Sequence, residues 1–196
     1  SNPDADVLDM PFMTVEGNNE FLTPNTSPFQ LWASIYKKDF LNKNNIHFTP
    51  TYYGEDLSYV IQIASSNPIR KYLNKCFYKY KLREGSAVTV RFSSEKLQTF
   101  VTDIVNIYFD LLNWNKNANV FKKWYIINII PLLANNLSIE VLNGIGTDIK
   151  QKCIIELQTI IEECDSSINL LSQFTNYAHL KNNKQILENI IKGASR

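Results

Sequence analysis

Between Ser93 and Leu112 the apolar residues Leu97, Phe100, Val101, Ile104, Val105, Tyr108, Leu111 and Leu112 return at steps of three and four. That is the period of a helix with one greasy face, and it predicts a single long helix capped by Ser93 or Ser94. Ile107 and Phe109 fall off the main stripe, so the helix is expected to pack on more than one side. After a polar break over residues 113–119 the pattern resumes with Val120, Phe121, Trp124, Ile127, Ile130, Leu133 and Leu137. Pro131 lies inside this run, lacks an amide donor, and predicts a kink or a split near Ile130.

The flanks are read in the same way. A first helix is expected from Ser27 or Pro28 to Leu41, with Leu31, Trp32, Ile35, Tyr36 and Phe40 on one face. Residues 47–54, rich in aromatics and threonine, predict an extended loop or a short edge strand. Leu57, Val60, Ile61 and Ala64 predict a helix over 55–64, with a strand over the short run Tyr59 to Ile63 as the alternative. Asn67 followed by Pro68 looks like a cap and a first-turn residue, opening a helix with the stripe Ile69, Tyr72, Leu73, Cys76, Phe77 and Tyr80. Residues 87–92 alternate as a short strand would, or read simply as an extended connector into the long helix. Thr147 or Asp148 caps a helix striped by Ile149, Cys153, Leu157, Ile160, Ile161 and Cys164, and a continuation through His179 and a last helix over 183–192 follow.

These elements predict a mainly α chain: an irregular multi-helix bundle or a short solenoid of helical pairs, with at most one or two short strands. Residues 1–27 hold Asp4, Asp6, Asp9, Glu16 and Glu20 with no Lys or Arg, and four prolines stand in the first 28 residues. That stretch is expected to be an acidic flexible arm, ahead of a single helical domain over 28–192. Thr23 and Ser27 each precede a proline and are candidate phosphorylation positions.

Composition narrows the class. At 44% hydrophobic and 12% aromatic the chain can bury a core, and a net charge of +1 gives it no overall pull toward nucleic acid or anionic lipid. Crossing a bilayer takes about 20 apolar residues, and the run from Tyr125 to Ala134 is too short, so no membrane association is expected. Cys76, Cys153 and Cys164 show no CxxC spacing and predict reduced thiols in an intracellular protein of cytoplasm or nucleus. The acidic, polar amino terminus does not read as a signal peptide.

Candidate chemistry is sparse. The two histidines, His47 and His179, fall in different segments, and no HExxH, G-x-S-x-G, P-loop or paired Cys/His spacing occurs. Gly144 and Gly146 read as a helix stop, and Glu162, Glu163 and Asp165 as a solvated acidic surface. The expectation is therefore a nonenzymatic chain with no metal, cofactor or small-molecule substrate. Its predicted role is a noncatalytic helical protein–protein interaction module, a scaffold or adaptor of a larger complex, with Trp32, Trp114 and Trp124 as anchors because tryptophan dominates interface hot spots. The alternative is a nucleic-acid-associated module using a basic helix face of Arg70, Lys71, Lys75, Lys79, Lys81 and Arg83.

Overall fold

The computed structural model describes residues 4–25, 30–82, 94–114, 130–131, 133–135, 137–144, 147–166 and 177–194. The chain divides into two compact units, one of Ser1–Phe48 with Asp56–Arg91, the other of Thr49–Glu55 with Phe92–Arg196.

The first unit is built on two three-stranded sheets. Strands β1 (Val7–Asp9), β2 (Phe12–Glu16) and β3 (Asn19–Thr23) come first, followed by a 3-10 turn at Leu31–Ala33, β4 (Ser34–Tyr36), helix α1 (Lys38–Lys43), helix α2 (Glu55–Ser65), β5 (Arg70–Tyr72) and β6 (Lys79–Lys81). One sheet has the order β4-β1-β5 and the other β3-β2-β6. β1 runs antiparallel to β4 and parallel to β5, with Val7 opposite both Tyr36 and Arg70. β2 likewise pairs antiparallel with β3 and parallel with β6. Thus 5–16 and 69–82 run side by side, and bonds from Leu73 to Asp9 (2.9 Å) and from Met13 to Tyr78 (2.9 Å) continue the ladder past the strand ends.

Both sheets correct the expectation of a mainly α bundle or solenoid. The stretch expected to be a flexible acidic arm supplies three strands, because Gly17, at φ +60°, closes a two-residue hairpin link that brings Phe12 opposite Thr23 and Glu16 opposite Asn19. The helix expected from residue 28 to 41 is a 3-10 turn, a strand and a short helix instead. The helix expected after Asn67 is two strands and a loop. Asn67 holds φ +52°, a left-handed conformation that closes α2 rather than opening a helix.

The core of this unit gathers Val7, Phe40, Tyr59 and Ile63, with Leu31, Tyr36, Leu41 and Ile46 packed around them. Every residue of α2 from Leu57 to Ile63 is buried, Ser58 and Gln62 included. Gln62 is satisfied by the backbone of His47, accepting its amide at 3.0 Å and donating to its carbonyl at 2.8 Å, which fixes the loop after α1 against α2. Phe48 stacks on Tyr59 with ring centroids 4.2 Å apart.

The second unit holds helices α3 (Ser94–Trp114), α4 (Ile139–Gly144), α5 (Thr147–Ser166) and α6 (Tyr177–Ala194). Here the periodicity reads true. Phe100, Val101, Ile104, Val105, Tyr108 and Leu111 of α3 are buried, Ile107 is buried beside them, and Phe109 remains exposed. α3 packs on α4 and α5, and α6 packs on α4 and α5. The approach of α6 to α4 is close enough that a Cβ on Gly193 would lie 2.5 Å from Ile139 Cδ1. Residues 130, 131 and 133–135 are helical, and the residues before Ile130, where a kink or split was expected, lie outside the described residues. The strand expected over 87–92 and the helix start at Ser93 lie outside the described residues. No helix among the described residues is long and apolar enough to cross a membrane.

Candidate ligand site

The tryptophans expected as anchors are placed differently. Trp32 is half-buried in an aromatic stack on the β3-β2-β6 sheet, 4.8 Å and nearly parallel to Tyr80, 4.7 Å from Tyr78, and edge-on to Phe12 at 4.6 Å. Trp114 is half-buried at the end of α3. Trp124 lies outside the described residues, as does Arg83.

The basic residues do not share a helix face. Arg70 and Lys71 sit in β5, Lys75 in the following loop, and Lys79 and Lys81 in β6. Arg70 donates to both carboxylate oxygens of Asp9, at 3.0 and 2.8 Å, and Lys79 pairs with Glu20 at 2.7 Å. Asp9 also accepts the Ser34 hydroxyl at 2.7 Å. Tyr36 stands in the same neighbourhood, and its phenol is pushed up to about 12 by burial, against a smaller opposing pull from the Ser34 hydroxyl and the Arg70 charge.

A cleft lies in the second unit, over the segment Thr49–Glu55. Asp103 stands within the apolar stripe of α3 and is buried; it accepts the backbone amides of Tyr52 at 3.0 Å and Tyr53 at 2.9 Å. Thr49 donates to Asp110, about two helical turns further on, at 2.6 Å. Gly54 turns the chain at φ +77°, and a Cβ there would meet Ile107 Cδ1 at 2.9 Å. These three attachments tie the segment to α3 along its length.

Tyr52 and Tyr53 then project as a right-angled pair, centroids 4.8 Å apart and planes at 77°. Together with Lys96 and Thr99 of α3 they line an open cleft of about 370 Å³. The Tyr53 phenol is raised, first by desolvation and then by the neighbouring Tyr52 and Asp103. In the chain, Gly54 leads directly into Glu55 and Asp56, the first two residues of α2, both exposed. Asp56 accepts the amide of Leu57 at 2.7 Å. Among the described residues no three His, Cys, Asp or Glu side chains stand close enough to share a metal ion.

None of Tyr52, Tyr53, Lys96 or Thr99 belongs to a motif, and sequence reasoning passed over them. One signal was available: Asp103 interrupts a run of apolar helix positions, and a carboxylate there needs fixed donors.

No family model matches the sequence, and no curated protein matches it. Among solved structures the chain is similar to Staphylococcus aureus TarS 1-349, crystallised in complex with UDP-GlcNAc, at a TM-score of 0.54 and 15% identity. The superposition covers 97% of this chain and 59% of that one, so this chain spans under two thirds of its length. The likeness runs through the sheets as well as the helices. It overturns the helical bundle or solenoid on which the scaffold or adaptor reading rested, and the alternative of a basic helix face fails because Arg70–Tyr72 and Lys79–Lys81 are strands joined by a loop.

Proposed function

We propose that this chain is part of a glycosyl-transfer domain that uses a nucleoside diphosphate sugar. The observation that carries the reading is the likeness over 97% of the chain to a protein solved with UDP-GlcNAc. It departs from the expectation of a nonenzymatic chain, which rested on the lack of a recognisable motif. Dispersed catalytic groups leave no such motif.

The chemistry asks for three things. The bond between the anomeric carbon and the diphosphate oxygen breaks, a bond to an acceptor hydroxyl forms, and the hydroxyl proton passes to a base. Glu55 is this chain's candidate for the base, an exposed carboxylate at the end of a segment locked to α3 by Asp103 and Gly54. A side chain on a fixed backbone keeps its aim, and proximity of that kind supplies much of the rate in transfer reactions. Tyr52 and Tyr53 offer ring faces for a sugar or a base. Neither Cys76 nor Cys153 forms a disulfide, which fits an intracellular setting.

Titration of isotope-labelled protein with UDP-GlcNAc, followed by NMR, tests the proposal. The expected result is saturable shifts that include Tyr52, Tyr53 and Lys96. An unchanged spectrum at millimolar ligand would overturn it.

A further inference from the structure

We infer that the cleft of Tyr52, Tyr53, Lys96 and Thr99 is a subsite for a sugar that carries a phosphate. This rests on the glycosyl-transfer reading and names the ligand class for its cleft.

The walls make the case. A volume of about 370 Å³ lies toward the small end of ligand sites, which run from about 300 to 1,000 Å³, and suits a single sugar ring with a charged substituent. Tyr52 is 78% exposed, yet its backbone is fastened to buried Asp103. A large ring held rigidly in water loses little freedom when a ligand covers it, and tyrosine contributes apolar area together with a polar tip. The perpendicular setting of the two rings forms a corner, so the apolar face of a pyranose can lie on one ring while its rim meets the other.

Charge then selects among sugars. Lys96 is exposed and is the one cation lining the cleft among the described residues, and Thr99 stands three residues on, so both project from the same side of α3. No carboxylate lines the cleft among the described residues. An ammonium beside a hydroxyl favours a phosphate, a charge-assisted contact roughly twice as strong as a neutral one. Two sources share that chemistry: the sugar phosphate of the nucleotide donor and a phosphorylated acceptor.

Calorimetric titration of the protein with GlcNAc, GlcNAc 1-phosphate, UDP and UDP-GlcNAc separates these. GlcNAc 1-phosphate is expected to bind at least about tenfold more tightly than GlcNAc, a difference of about 1.4 kcal/mol. Lys96→Met is expected to erase that preference, and Tyr52→Ala to weaken both ligands. Because both side chains are exposed, the variants are expected to melt with the wild type. Competition between UDP and GlcNAc 1-phosphate assigns the subsite to the donor, and additive binding assigns it to the acceptor. Equal binding of the phosphorylated and neutral sugars, or undiminished phosphate preference in Lys96→Met, would overturn the subsite while leaving glycosyl transfer standing. Binding of GlcNAc 1-phosphate without any binding of UDP-GlcNAc would instead remove the glycosyl-transfer reading.

Discussion

Tyr53 donates its backbone amide to the carboxylate of Asp103 at 2.9 Å, from a loop to the middle of a helix fifty residues further along. Tyr52 makes the same bond at 3.0 Å. One buried carboxylate therefore satisfies two successive amides and sets the direction in which both rings leave the chain. Hydrogen bonds to a charged group contribute about 1.5–3 kcal/mol each, and orphaned amides add to the cost of losing them. Asp103→Ala is expected to lower unfolding free energy by roughly 3 kcal/mol. Urea denaturation measures this, and a loss below about 0.5 kcal/mol would mean that the loop is held by something else.

Gly54 supplies the turn that follows. An L-residue at φ +77° costs about 1–2 kcal/mol, and a new Cβ would press on Ile107 Cδ1 as well. Gly54→Ala is expected to destabilise the protein by roughly 2 kcal/mol. Pairing it with Ile107→Val, which withdraws the methyl in contact, is expected to recover only the steric share. Full recovery in the double variant would show that the backbone conformation carries no cost.

In the first unit, Gln62 joins α2 to the preceding loop through both backbone groups of His47. Gln62→Leu keeps the volume and removes the partner of the part-buried amide and carbonyl of His47, at up to about 1–3 kcal/mol each. Amide exchange at His47 is expected to accelerate by more than about tenfold relative to a remote core amide. Equal exchange in variant and wild type would contradict the clamp.

Tyr36 gives a pH signature. Its phenol titrates near 12 in the folded protein and near 10 when unfolded. Below pH 10 both states hold the proton and nothing changes; between pH 10 and 12 the unfolded state releases it first, so stability falls as pH rises. Tyr36→Phe is expected to flatten part of that alkaline decline in denaturation midpoints, and an unchanged slope would show that Tyr36 does not carry it.

What the sequence disclosed follows from which interactions are local. α3 could be read directly because its stripe runs for more than four turns without a competing period, whereas the shorter stripe of α2 also fitted a strand over Tyr59–Ile63. Lys71, Lys75 and Lys79 misled because a step of four keeps residues on one side of a helix and, being even, on one side of a strand too. Their fate was settled by partners 60 and more residues away, since β5 and β6 exist only through parallel pairing with β1 and β2. Three-residue strands carry no period of their own. The hairpin was marked by Gly17-Asn18 between alternating residues, a signal outweighed by the acidic, proline-rich composition around it. The cleft was hidden for a different reason: its members come from a loop and a helix start forty residues apart, and only the buried Asp103 marked where they meet.

The most direct test of glycosyl transfer is release of UDP from UDP-GlcNAc in the presence of sugar acceptors, compared between wild type and Glu55→Gln. The account predicts turnover by the wild type and a loss of about 10²-fold or more in the variant. Turnover by the variant at the wild-type rate would contradict the assignment of the base, and no release of UDP by the wild-type protein with any acceptor would contradict the account itself.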